Sequence, residues 1–598
     1  MKKKKIIMNE MDDKEFYLYY LNDLSYIPRP SKWIESIIKI PLLKTTLEYI
    51  SFNHAMASHI LLSFLTDLTL PLSQPFNFAV MILTFFIILL ILFPVSIILE
   101  ICKKLDLFNF NFYEMDEWNR MTAGKGSNDI KHIAREGHRA LCSSDYNSKV
   151  FNFDLVETLL ILSAIIYERD DDELRKIYEK LKTNKDNEGD SFENLIDECR
   201  NKVYKGINRK VKDLGFNFVP LSELNSIDTL FAGMYLFEHK NDQEDQENNN
   251  VIIVSFKGTS PTNFTEWLTD FLIMRADASQ FVFGEIHKGF YDNFFPKTLD
   301  ETKESYPAKR MVETISKAAE KMYERNGKNV NIWITGHSLG AALAQVFYAR
   351  LIKMSTLLPE FCVLRDAYAF AAPAVGDKDF ASSFNGALQI NYKENKTLWR
   401  IANTNDIVAK MPPQHLYSTI RRYITKEDIL NYYSIGYKVQ LFLDKEKPPK
   451  GIVLREKYKE KNKDDEEEEN DKLGSIEKLL RKKLNDDRKD SENSEITFDN
   501  ILNFILGELP GKLPGKLLKQ NKHNIESYHD YDKNHSSEDY TLDKIKNIEP
   551  YIPSLIHNHF PHRYFMAMER LRSDKFEFIV GDQKSVEDKI LADFNMVM

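Results

Sequence analysis

One pentapeptide, Gly336-His337-Ser338-Leu339-Gly340, constrains this chain more than any other stretch of it. The apolar run Val330 to Thr335 before it reads as a buried strand, and the alanine-rich segment from Ala341 to Ile352 after it reads as a helix. Ser338 therefore falls on a strand-to-helix turn. Such a turn holds its central residue in a strained backbone and needs glycine two positions either side, so that strand and helix can approach without a clash. The helix N-terminus also directs free N–H groups, that of Leu339 first, at any negative charge developing beside the serine. The pattern predicts a nucleophilic serine on an α/β framework.

A serine hydroxyl becomes a useful nucleophile only when a histidine takes its proton and a carboxylate holds that histidine's tautomer. In α/β-hydrolases the chain order is serine, acid, histidine, with the acid on a loop after a later strand. Leu398 to Ala402 reads as such a strand, and Asn403-Thr404-Asn405-Asp406 is a turn-rich exit from it, which makes Asp406 the acid. Asp366 and Asp377 fit turn-forming roles better. Of the later histidines, His415 comes too soon, and His523, His529 and His535 sit in polar sequence. His557, His559 and His562 are left as candidates for the base. The same cluster could serve a metal hydrolase, but no carboxylate lies within the segment and the four cysteines form no pairs. A second oxyanion donor is expected from an early strand end. Val251 to Phe256 runs straight into Lys257-Gly258-Thr259-Ser260 and puts Thr259 in that place.

Taken together, FKGTS with EWLTDF, IHKGFYDNF, ITGHSLGAALA, and AFAAPAVGD leading to RIANTNDIVAKMPP resemble, in that order, the class 3 (fungal-type) lipase family with its diacylglycerol lipase and phospholipase A1 relatives. The likeness runs over roughly residues 229 to 442, with a last piece near 555 to 569. It implies an α/β-hydrolase fold, Ser338 as nucleophile within the elbow Gly336, His337 and Gly340, Asp406 as acid, and Thr259 with Leu339 at the oxyanion. For the base it implies His559, with His562 as runner-up, since Asn558-His559-Phe560-Pro561 and then Tyr564 fit the family's closing motif. Two departures stand out: Asn558 replaces the family's aspartate, and Lys257 replaces an arginine, losing the bidentate fork. The segment after Ser260 matches the family's lid, with Phe264, Trp267, Leu268 and Phe271 at helical spacing, either a core helix or a flap that opens on lipid.

The chain has 598 residues, ordinary hydrophobic content at 43%, and a net charge of −9, which argues against a nucleic-acid partner. Its four scattered cysteines fit a reducing compartment. Phe78 to Leu99 is an apolar run without charge, long enough to span a bilayer and too far into the chain to be a secretory signal. Lys103 and Lys104 lie just beyond it, whereas Thr45 to Asn77 has no Lys or Arg, which places the catalytic part on the cytoplasmic side. Leu47 to Leu70 is less apolar and reads as an interfacial helix or a second span. Asn263, Asn395 and Asn534 head glycosylation sequons, and a glycan at Asn263 would obstruct the lid, which also favours the cytoplasm.

The expected organisation is an N-terminal region (1–77), a membrane-anchor helix (78–102), a connector (103–150), an α/β-hydrolase domain with a mostly parallel central sheet (151–444), a charged insertion (445–547) and a closing piece with the base (548–598). Thr158 to Ile166 should open the hydrolase as a core helix capped by Asp154. Within the insertion, Phe498 to Lys519 reads as packing onto the hydrolase or touching a membrane. The expected activity is hydrolysis of acylglycerol esters at a membrane, without metal or cofactor. A phospholipase A1-type esterase and a catalytically idle lipase-like scaffold are the alternatives.

Overall fold

The computed structural model describes residues 14–27, isolated positions between 50 and 121, and, with gaps of which the longest are 259–274 and 412–431, residues 127–441, 453–456, 558–573 and 576–579. Seven strands form one sheet: β1 (Asn217–Ser222), β2 (Phe231–Phe237), β3 (Asn250–Lys257), β4 (Val330–His337), β5 (Cys362–Phe370), β6 (Leu398–Asn403) and β7 (Tyr437–Leu441). They lie in the order β7-β6-β5-β4-β3-β2-β1. The pairs β1/β2 and β2/β3 are antiparallel and every pair from β3 to β7 is parallel. This is the expected α/β class with a mostly parallel sheet, and its strand–helix alternation fits an α/β-hydrolase.

Helices α1 (Lys14–Tyr26), α2 (Ser127–Cys142), α3 (Phe153–Ile165), α4 (Asp171–Thr183), α5 (Asp190–Glu198) and α6 (Lys205–Asp213) precede the sheet. Helices α7 (Pro307–Asn326), α8 (Leu339–Lys353) and α9 (Lys378–Ile390) connect its parallel strands, and α10 (Pro561–Ser573) comes after it. Parallel crossovers have one hand, so strands added always to the same side bring their helices to the same face. Ile315, Phe347 and Phe384 of those helices pack with Ile252, Val254 and Ile334. The opposite face, carrying Val251, Ile253 and Trp333, has to be covered from elsewhere in the chain, and α2, α3, α6 and α10 cover it.

Helix α3 is buried from Leu155 to Ile165, its mostly apolar surface carrying Glu157, Thr158 and Ser163 into the core with it. Its N-cap is Asn152, whose side chain accepts from Leu155 N at 3.0 Å. The expected cap, Asp154, instead sits in the first turn, because the helix starts earlier than the apolar run suggests. The stretch expected as a connector contains α2, which packs along α3.

Helix α1 is part of the same body. Phe16, Tyr17, Tyr20, Leu21 and Leu24 are buried, Tyr20 Oη donates to Glu223 at 2.6 Å, and Ser222 Oγ donates to Asp23 at 2.9 Å. Asp23 also pairs with Arg310 of α7. Around Glu223 lies a buried charge network. Arg169 reaches both Glu223 oxygens at 2.6 and 2.7 Å and Asp171 at 2.6 Å, and Lys257, the last residue of β3, reaches Asp171 at 2.6 Å. Burial and the Arg169 charge lower the Lys257 ammonium. Burial alone would raise the Asp171 carboxyl, but Arg169 and Lys257 bring it below its ordinary value. Every charge in the network has an opposite beside it, which is the condition under which buried ions are tolerated.

Among the described residues no helix is long and apolar enough to cross a membrane. Most of the expected anchor 78–102 lies outside them, as does the insertion 445–547 apart from Val453–Glu456. That short strand pairs with Phe576–Ile579, which pairs in turn with Val150–Phe151.

Candidate active site

The C-terminal ends of the parallel strands bring the candidate residues together. In the sheet register Phe256 lies opposite Gly336, His337 opposite Phe370, and Phe370 opposite Ile401, so the residues just beyond β3, β4 and β6 leave the sheet at one edge. Ser338 sits between β4 and α8 with φ 60° and ψ −130°. A non-glycine residue in that region costs about 1–3 kcal/mol, and the surroundings hold it there. Ser338 N donates to Phe370 O at 2.9 Å, and Ser338 O accepts from Ala341 N at 3.0 Å. The flanking glycines are sterically required. A Cβ on Gly336 would come within 2.4 Å of Gly340 O, and one on Gly340 within 2.1 Å of Phe256 O. The serine is 2% exposed, and its Oγ makes no hydrogen bond to any described residue. Leu339 opens α8 directly after it, so its N–H has no intrahelical acceptor.

Asp406 is fully buried beyond the end of β6. Its Oδ1 accepts from Val408 N at 2.8 Å and Ala409 N at 3.4 Å, and its Oδ2 accepts from Tyr564 Oη at 2.5 Å. His559 Nδ1 lies 3.0 Å from both carboxylate oxygens. A carboxylate only accepts, so Nδ1 is the donor and the ring's other nitrogen, Nε2, is left as the acceptor. Burial pushes the Tyr564 phenol well above its ordinary range, with Asp406 adding to the shift, which keeps it a donor. The same hydroxyl accepts from Asn403 N at 3.0 Å, and Asn403 Nδ2 donates to Asn558 O at 2.9 Å. Strand β6 and the His559 turn are thereby tied together across 155 positions of sequence separation.

The three histidines of the closing motif separate. His559 engages Asp406, whereas His562, in the first turn of α10, stacks on Phe560 at 5.8 Å. His557 lies outside the described residues. Among those residues no group of His, Cys, Asp and Glu could hold a metal ion. The other two aspartates are occupied elsewhere. Asp366 accepts from Thr397 N and Trp399 Nε1, with its carboxyl raised well above the usual range by burial, and Asp377 accepts from Phe380 N at the start of α9.

Two further residues make contacts that the sequence reading did not assign, one of them, His337, already named in the elbow. His337 is the elbow's variable position, yet its Nε2 lies 2.8 Å from His559 O and its ring sits 4.8 Å from the His559 ring. It ties the turn at Ser338 to the candidate base. Tyr167, just after α3, donates to His337 O at 3.2 Å and accepts from Gly258 N at 3.2 Å, so one hydroxyl joins the end of β3 to the turn holding Ser338. The only sequence signal for Tyr167 was a polar tip ending an apolar helix. Thr259 and the lid residues Phe264, Trp267, Leu268 and Phe271 lie outside the described residues.

Residues 253–416 match the model of the lipase (class 3) family. Among curated proteins, the chain is 25% identical to triacylglycerol lipase OBL1 of Arabidopsis thaliana over 28% of its own length and 35% of that protein's. It is 28% identical to phospholipase A1-IIgamma of the same plant over 27% and 38%. It thus spans little more than a third of these relatives. Among solved structures, lipase II of Rhizopus niveus aligns over 49% of this chain and 82% of that one, with 15% identity and a TM-score of 0.27.

Proposed function

We propose that this chain, a member of the class 3 lipase family through residues 253–416, hydrolyses carboxylic ester bonds of acylglycerols with Ser338, His559 and Asp406 as its catalytic groups. The observation that carries the reading is the convergence at one sheet edge of an elbow serine with an unbonded Oγ and a histidine whose Nδ1 is held by a buried carboxylate. Ser338 Oγ attacks the acyl carbon as His559 Nε2 takes its proton. The carbonyl oxygen becomes an oxyanion beside the Leu339 N–H, with Thr259 as the second donor that the family resemblance implies, and the C–O bond to the glycerol then breaks as His559 returns the proton to the glycerol oxygen. Water, deprotonated by the same nitrogen, attacks the acyl-serine, and the bond from the acyl carbon to Ser338 Oγ breaks as His559 returns the proton to Oγ, releasing the fatty acid. Asp406 holds the imidazole through Nδ1, and Tyr564 and two backbone N–H groups hold Asp406. No step needs a metal.

Support for a lipid ester comes from the family and from relatives named as triacylglycerol lipase and phospholipase A1. Ser338→Ala should remove both ester turnover, by about 10⁵-fold or more, and covalent labelling by a fluorophosphonate, with the fold intact by circular dichroism. Labelling that persists in the alanine variant would refute the assignment. Lipid profiling of the products from mixed acylglycerols and phospholipids tests the substrate: release of lysophospholipid in place of glycerides would make this a phospholipase A1.

A further inference from the structure

The chain enters and leaves its longest apolar stretch from one and the same body. On the N-terminal side α1 is locked to the hydrolase through Tyr20–Glu223, Ser222–Asp23 and Asp23–Arg310. On the C-terminal side Met121 is buried in the core, and α2 covers the sheet beside α3. A segment that crosses a bilayer once must have its two ends on opposite sides, separated by a hydrocarbon core of about 30 Å. The packing of α1 against β1 excludes that arrangement for this chain.

The charge pattern points the same way. Residues 45–102 contain no Lys or Arg, while Lys32, Lys39 and Lys44 precede them and Lys103 and Lys104 come directly after. Basic residues collect on the cytoplasmic flank of membrane segments, and here both flanks are basic with nothing basic between them. Two apolar stretches fill the interval. Residues 78–99 would measure roughly 33 Å as a helix and residues 49–66 roughly 27 Å, and neither stretch holds an Asp, Glu, Lys or Arg. Glu48 and Asp67 bracket the first stretch. Between the two lies a helical turn at Leu70–Ser73, flanked by Pro75, and the rings of Phe64 and Phe78, one from each stretch, are 6.3 Å apart across it. Leu61, Leu65, Leu72, Leu83, Phe86 and Leu90 are 37% to 86% exposed, and large exposed apolar side chains clustered in this way mark a surface that something apolar covers.

We propose that residues 45–102 insert into a lipid bilayer as a hairpin whose two ends both return to the hydrolase side, so that the chain crosses twice. A bilayer is the occupant because each stretch has its length and because the proposed substrate is a lipid; to that extent the inference rests on the proposed reaction. The hairpin takes up the second span that Leu47 to Leu70 left open, in place of a single anchor helix at residues 78–102. It also makes residues 14–27 part of the catalytic body and not of a removable tether.

The test uses the full chain synthesised into sealed microsomal vesicles, with a membrane-impermeant maleimide added to three variants and scored against the parent's own cysteines. Ser31→Cys, just after α1, and Glu320→Cys, on the exposed side of α7, should be labelled alike, and Ser73→Cys, in the turn, should behave oppositely until detergent opens the vesicles. The chain should resist carbonate extraction. Opposite behaviour of the first two variants would mean a single crossing. Equal labelling of all three, or release by carbonate, would mean no crossing, and each of these results overturns the hairpin. Turnover of a short-chain soluble ester by the detergent-solubilised chain, measured in parallel, reports the catalytic reading separately.

Discussion

Two buried polar clusters occupy neighbouring parts of this molecule. In the network of Arg169, Asp171, Glu223 and Lys257, each charge faces an opposite one, and the cluster joins α1, the start of α4 and the end of β3. In the cluster of Asp406, His559 and Tyr564 the acid is just as heavily bonded, yet nearby Ser338 Oγ has no described partner and its backbone is strained. Both clusters hold distant segments together, and only the second leaves a reactive group unsatisfied. The first cluster balances its charges, Arg169 Nη2 alone staying unbonded among its ionic groups, whereas the second sets an unbonded hydroxyl on strained backbone beside a histidine held by a carboxylate.

That contrast can be broken experimentally. The largest effect belongs to the site: His559→Ala should lower kcat by at least about 10³-fold, whereas His562→Ala should change it less than about fivefold, both with little loss of stability. A dead His562 variant beside an active His559 variant would move the base by three positions. In the other cluster the loss should appear as stability. Glu223→Ala leaves Arg169 buried without its main counter-charge and should destabilise by about 3–5 kcal/mol in urea unfolding, with kcat per folded molecule nearly unchanged.

Tyr167 sharpens the comparison because it touches both sides. Tyr167→Phe removes the bond to His337 O and the acceptor for Gly258 N but keeps the ring. It should lower kcat about tenfold with KM unmoved, since the change is in the spacing of the oxyanion loop and the nucleophile. A purely structural role would lower Tm and leave kcat alone. The smallest effect is pH-dependent. Because the folded Asp171 carboxyl lies below its ordinary value, its contribution to stability is present above the ordinary carboxylate range and is lost as pH falls through the lowered folded value. The urea midpoint should therefore drop between about pH 5 and pH 3, and Asp171→Asn should flatten that drop.

Pattern and spacing made the α/β class and the strand-to-helix turn at Ser338 readable, because each arises from local chemistry: an apolar strand, two glycines that a tight turn requires, and a helix. They also marked Asp406, whose place after β6 is a local feature. The choice among His557, His559 and His562 was not local. Three residues of spacing on a turn and a helix start decide which ring reaches a carboxylate 153 positions earlier, and only the packing of α10 across the sheet settles which one meets Asp406. The roles of Tyr564, His337 and Tyr167 were hidden for the same reason, as each acts through a bond to a segment far away in sequence. The capping of α3 by Asn152 shows the limit even over two residues, where the backbone and not the residue type decided between two good caps.

The apolar run at residues 78–99 shows the division most clearly. Its length and lack of charge are properties of the sequence, and they are sufficient to say that it can fill a bilayer. Its topology is a property of the ends, because a chain can cross once only if the segments on either side of the run lie apart. The burial of Phe16, Tyr17 and Tyr20 against strands that begin about two hundred residues later decided that they do not. Local chemistry is carried by neighbours along the chain and can be read there. Side-chain partnerships between distant segments depend on the layers of the fold, and only the tertiary structure contains them.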